Sequence, residues 1–148
     1  MGPLDLLCDG MIAYSEGDPK RIQHFLKVHS LARLIAVSEG IDAHTRFTLE
    51  AAAYVRNIGI QPAQAKAMLE ELYFPQDVID RVTFLVGHHH ADTGGGGADS
   101  QILAEAECLV NLCEENAGES AVWSADHRVF RTESGKRLLK LMFGIKDD

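Results

Sequence analysis

Apolar residues recur along almost the whole chain at the three- and four-residue spacing of an amphipathic helix. No run alternates between apolar and polar residues for long enough to require a β-strand. Proline, glycine and capping aspartate residues divide the pattern, as Asp18-Pro19 does before one segment and Gly40 after it. We expect helices over about residues 4–15, 19–38, 43–57, 62–74, 76–90 and 100–116, with one or two more between 119 and 145 that are interrupted near 132–135. The pattern therefore predicts one all-α domain over residues 1–148, a compact bundle of about six to eight helices.

One segment does not fit a helix. Residues 91–100 read ADTGGGGADS, and four consecutive glycines lose much backbone entropy when they are ordered. The composition of this segment predicts a mobile loop between the fifth and sixth helices.

The composition limits the classes of partner. The chain has 148 residues, with 14 basic and 22 acidic side chains and a formal charge of −8. This acidic balance argues against duplex nucleic acid as a partner, because neutralising phosphates requires clustered Lys and Arg. No apolar run approaches the roughly 18 residues that cross a bilayer, and the first residues do not have the pattern of a secretory leader. For this reason we expect no membrane partner. Three cysteines without a C-x-x-C pair suit reduced thiols, so we expect a cytoplasmic protein.

Two histidines lie on the second predicted helix. His24 falls within an apolar arc, where it is either a hydrogen-bonded core residue or a ligand. His29 lies about 140° further round the helix, which places it at the edge of that arc. The two rings are therefore not expected to share one site.

Arg56 extends an apolar stripe on the third predicted helix, close to its end. Two interpretations stay open: the guanidinium enters the core and finds a carboxylate or carbonyls there, or it reaches out to water or bonds the last carbonyls of the helix. On the sixth helix, Glu107 shares a side with apolar residues and is the carboxylate expected to turn inward. Glu105 projects elsewhere, and we expect it on an exposed face.

The run His88-His89-His90 is a second candidate for chemistry. Successive residues of a helix point about 100° apart, so one or two of these rings can face a common site. Imidazoles bind zinc, nickel or iron, but a specific site needs three or four converging ligands. The alternative is a surface loop that binds metal without any connection to the core.

Four segments in order resemble the HD-domain superfamily: RIQHFLKVHSLARLIAVSEGID, LEAAAYVRNIGI, LVGHHH and SQILAEAECLVNL, across about residues 10–145. The likeness is to small bacterial single-domain members that resemble metal-dependent phosphohydrolases. The resemblance implies a helical fold and hydrolysis of phosphate esters of nucleotides and related compounds at one or two divalent metals.

The resemblance also assigns positions. The family signature has a histidine on an early helix, matched by His24, and a His-Asp pair, replaced by Arg56 and Asn57. It ends with a distal aspartate, where Glu107 stands. The residues His88, His89 and His90 resemble histidines that some members use for a second metal or for the substrate phosphate. Of the signature residues, only the histidine on the early helix, His24, is retained in this sequence.

These replacements define two hypotheses. Asn57 lacks the charge that attracts a cation, and Arg56 places a permanent cation where the metal should lie. We therefore expect a non-catalytic module without a cofactor, which binds a small phosphate-containing ligand or a protein. The alternative is an active phosphohydrolase whose divalent metal is held by His24, Glu107 and members of the run 88–90. A homo-oligomer stays open in both cases.

If the chain is catalytic, three basic residues are candidate phosphate contacts: Lys27, Arg33 and Arg46. The competing interpretation of each is an ordinary solvated charge on a helix surface.

Overall fold

A computed structural model describes residues 1–56, 60–87 and 96–146. Within these ranges the chain forms eight α-helices and no strand, which confirms the predicted all-α fold. The helices are α1 (Pro3–Tyr14), α2 (Pro19–Ser38), α3 (Ala43–Val55), α4 (Pro62–Glu71), α5 (Gln76–Gly87), α6 (Gly97–Glu114), α7 (Glu119–Arg128) and α8 (Glu133–Phe143). In the part of the chain that the structure describes, no helix is long and apolar enough to cross a lipid bilayer.

Local capping explains why several boundaries agree with the sequence. The carboxylate of Asp18 accepts a hydrogen bond from the backbone N–H of Arg21 at 3.1 Å, and α2 begins at the following proline. Gly40 has a φ of +71°, a left-handed conformation that suits glycine and ends the segment. Asp42 caps α3 in the same way by accepting from the N–H of Thr45 at 2.9 Å.

The third helix is shorter than predicted. It ends at Val55, and Arg56 has a ψ of 84°, which turns the chain out of the helix. The N–H of Arg56 still bonds to the carbonyl of Ala52 at 2.7 Å, so the residue forms the C-cap. Asn57 and the predicted stop at Gly59 lie outside the described residues.

The sixth helix is longer than predicted, because it begins at Gly97. The expectation of irregular structure through residue 100 is wrong for this part, while residues 88–95 lie outside the described ranges. Arg81 on α5 donates to both carboxylate oxygens of Asp99, at 2.9 and 2.7 Å, and also to the carbonyl of Gly96. These contacts stabilise the first turn of α6 and offset the entropy lost on ordering its glycine.

The centre of the bundle consists of α2, α3 and α6. Helix α2 packs against both of the others, α5 joins them through α3, and α7 and α8 pack against α6. The fully buried side chains include Phe25 from α2, Leu49 from α3 and Leu103 from α6. Truncating one such leucine costs about 2–5 kcal/mol of stability, because the cavity it leaves collapses only in part. This rigid centre fixes the positions of the charged groups described below.

Glu105 is fully buried, so the prediction of an exposed face is wrong. Its carboxylate accepts hydrogen bonds from the N–H of Arg131 at 2.8 Å, the N–H of Thr132 at 3.0 Å and the Thr132 hydroxyl at 2.6 Å. Gln101 donates a fourth, at 2.6 Å. These donors replace water at the start of α8, where the helix dipole also favours an anion. Gly135 completes the arrangement, since a Cβ there would overlap Oε1 of Glu105.

Candidate functional site

Arg56 and Glu107 meet between α3 and α6. Nη1 of Arg56 lies 3.0 Å from Oε1 of Glu107, and the two side chains are 4% and 26% exposed. The interpretation in which Arg56 reaches out to water is therefore wrong, and the one in which it enters the core and pairs with a carboxylate is confirmed. The C-cap position of Arg56 and the inward side of α6 bring the two groups together.

The ion pair is close but incompletely hydrogen-bonded. Within the described ranges, Nε of Arg56 and Oε1 of Glu107 are buried and have no hydrogen-bond partner. Burial raises the pKa of Glu107 above its ordinary value, although Arg56 and, to a smaller extent, His24 act to lower it. Attraction between the charges thus offsets only part of the desolvation cost, and packing of the bundle holds the pair in place.

His24 projects from α2 toward α6, the helix that also carries Glu107. Its Nδ1 lies 2.9 Å from Oε1 of Glu114, near the end of α6, and its side chain is 18% exposed. His24 also acts, as the smallest of the three influences, to lower the pKa of Glu107. Sequence reasoning missed Glu114, although it follows Glu107 by seven residues, a spacing of about two turns that puts both carboxylates on one side of the helix.

The described residues around Arg56 and Glu107 do not by themselves form a site for a divalent metal. In the described part of the chain, no group of three or more His, Cys, Asp or Glu side chains could hold a metal ion. The guanidinium of Arg56 already lies against Glu107, and a second cation beside it would be repelled. Asn57 and the run 88–90, the other positions assigned by the family signature, lie outside the described residues.

A second charged cluster surrounds Glu50 on α3, which sequence reasoning did not single out. The residue is only 7% exposed, and Nε2 of His29 lies 3.0 Å from its Oε1. Nε of Arg33 lies 3.7 Å from the same oxygen, and Nε of Arg46 lies 3.6 Å from Oε2. Three groups from two helices thus converge on one buried carboxylate.

His29 is held in the contact between α2 and α3 rather than at an open edge. Its ring stacks on Tyr54, with ring centroids 4.0 Å apart and planes 9° from parallel. Burial lowers the pKa of His29 from its ordinary value, more than the nearby Glu50 raises it. A neutral ring donates its Nε2–H to Glu50 and leaves the other sides of the carboxylate to the two arginines.

No protein-family model, curated protein or solved structure matches the chain. The resemblance to the HD-domain superfamily therefore rests on the ordered sequence segments alone.

Proposed function

We propose that the chain is an HD-domain-like module in which the Arg56 guanidinium takes the place of the metal, and that it binds a ligand or a protein instead of hydrolysing phosphate esters. The observation that supports this proposal is the burial of Arg56, 4% exposed, at 3.0 Å from Glu107. A fixed positive charge here neutralises the carboxylate that a metal would otherwise bind.

The chemistry of the guanidinium explains the proposed loss of activity. A catalytic metal lowers the pKa of a bound water to about 7 and so generates a nucleophile. A guanidinium stays protonated at every physiological pH and has no open coordination position, so it cannot produce hydroxide in this way. It retains the charge and five N–H donors, which are the properties that bind an anion.

A small phosphate-containing ligand is the partner that this proposal favours. Nε of Arg56 has no partner among the described residues, and a phosphoryl oxygen is an acceptor of suitable charge that would reach this buried atom once the side chains around it move apart. A protein partner that presents a carboxylate would satisfy the same donor. The protein would then recognise a phosphate compound and leave it intact.

One observation favours the alternative of an active phosphohydrolase. The contact between Nδ1 of His24 and Glu114 is the carboxylate–histidine arrangement that orients imidazoles toward metals through the other ring nitrogen. In this alternative a divalent metal is held by His24, Glu107 and members of the run 88–90. The guanidinium beside Glu107 opposes it, and so it is the second candidate.

Reversal of the two replaced positions tests the proposal. The variant Arg56→His with Asn57→Asp restores the family pair, and Arg128→His, on the exposed surface of α7, serves as the control. We expect only the double variant to gain bound divalent metal and hydrolysis of p-nitrophenyl phosphate over the unmodified protein. Equal or greater hydrolysis by the unmodified protein, lost in His24→Ala, would favour the active enzyme instead.

A further inference from the structure

Arg33 and Arg46 come from different helices and face the same carboxylate. Nε of Arg33 on α2 approaches one oxygen of Glu50, at 3.7 Å, and Nε of Arg46 on α3 approaches the other, at 3.6 Å. Glu50 itself is anchored from a third side by His29, whose ring is fixed by stacking. A buried carboxylate thus lies within 4 Å of two guanidinium groups that come from different helices.

The two arginines carry more positive charge than their surroundings neutralise. Their side chains are 55% and 33% exposed, and Glu50 is the one carboxylate within 4.0 Å of either among the described residues. With His29 neutral, the cluster has two positive charges against one negative charge. This local excess lies in a chain whose formal charge is −8.

We propose that Arg33 and Arg46 form a binding site for a small, multiply charged oxyanion of the phosphate type, and that Glu50 is its positioning residue. The Nε atoms face Glu50, and no described residue forms a hydrogen bond with either guanidinium, so the terminal N–H groups remain for a ligand. A phosphate dianion has enough charge and enough oxygens to accept from both sides at once. A single carboxylate ligand has less negative charge and fewer acceptor oxygens than a phosphate dianion.

This site is separate from the Arg56–Glu107 pair and does not depend on the proposed function. Residues 24 and 33 of α2 are nine positions apart, which corresponds to a rotation of about 180° around a helix. His24 therefore faces α6, while Arg33 projects from the opposite side of α2, toward α3. Variants of Arg56 or Glu107 should leave phosphate binding at Arg33 and Arg46 unchanged.

Titration of the full chain with inorganic phosphate and pyrophosphate tests the proposal. The measurement is the shift of the arginine Nε–Hε NMR signals at constant ionic strength, with chloride as the competing anion. We expect saturable shifts of the Arg33 and Arg46 signals, and a loss of affinity of at least about tenfold in Arg33→Gln and in Arg46→Gln. Arg128→Gln, on exposed α7, is the matched control and should bind like the unmodified protein.

Glu50→Gln separates orientation from simple charge. Removing a negative charge would strengthen anion binding if the site were only a region of positive potential. If Glu50 positions the arginines, binding should weaken in this variant although the local charge is more positive. Tighter binding would overturn the role given to Glu50. Non-saturable shifts, or unchanged affinity in both arginine variants, would overturn the site itself.

Discussion

Replacing Glu107 by glutamine should destabilise the protein strongly, because it leaves the Arg56 guanidinium, 4% exposed, without a counter-charge. Removing one partner of a buried ion pair costs about 3–5 kcal/mol. Glu107 is 26% exposed and the amide oxygen can still accept a hydrogen bond, so we expect a smaller loss than in a fully buried pair, about 2–3 kcal/mol. Arg56→Met should also destabilise, but Glu107 can then become hydrated or protonated.

The two variants together measure the coupling between the charges. At 3.0 Å and an effective dielectric constant of about 20, Coulomb attraction is about 5.5 kcal/mol, which is an upper bound because desolvation opposes it. Exposed pairs couple by about 0–1 kcal/mol. We therefore expect a coupling energy of about 2 kcal/mol from the double-mutant cycle, with the double variant more stable than the sum of the single losses predicts.

Urea unfolding followed by circular dichroism provides the free energies of unfolding for this cycle. The control cycle uses His44 and Asp77, whose Nε2 and Oδ2 atoms lie 2.7 Å apart on side chains that are 63% and 64% exposed. We expect a coupling energy below about 1 kcal/mol there. A coupling between Arg56 and Glu107 that does not exceed the control would refute the view that these residues form a buried resident ion pair.

Three further predictions concern other parts of the fold. Gly135→Ala should cost about 1–3 kcal/mol in thermal unfolding, because its Cβ displaces the hydrogen-bonded carboxylate of Glu105, whereas Gly118→Ala, with no atom nearby, should cost little. Burial lowers the pKa of His29, so the unfolded chain binds a proton at this residue more readily than the folded protein. The free energy of unfolding should therefore fall as the pH drops below about 6.5, and His29→Gln should flatten this dependence in urea titrations. Asp99→Asn should weaken the contact with Arg81 and increase hydrogen exchange in the first turn of α6, while α8 stays protected.

The sequence predicted well those features that are set by neighbouring residues. The bounds of α2 follow from Asp18, Pro19 and Gly40, which act within one helical turn of its ends. The inward direction of Glu107 also follows from helical periodicity alone. Its pairing with Arg56 was one of two open interpretations, because the choice depends on how α3 and α6 pack.

Features that depend on distant residues were not predictable in this way. The donors around Glu105 include the backbone at residues 131 and 132, more than 25 positions away, and periodicity does not report such partners. Arg33 and Arg46 were noted separately as basic residues. Their convergence on Glu50 requires the packing of α2 against α3, which no local pattern specifies.

The most direct test of the central claim is the metal content of tag-free protein and of His24→Ala, after incubation with zinc or manganese and removal of free ions. The claim is that Arg56, and not a divalent metal, provides the positive charge beside Glu107. Metal analysis by mass spectrometry should then find less than one equivalent per chain, and the same amount in the variant, since any metal on the run 88–90 does not depend on His24. One equivalent in the unmodified protein that is lost in His24→Ala would contradict the claim and favour the phosphohydrolase.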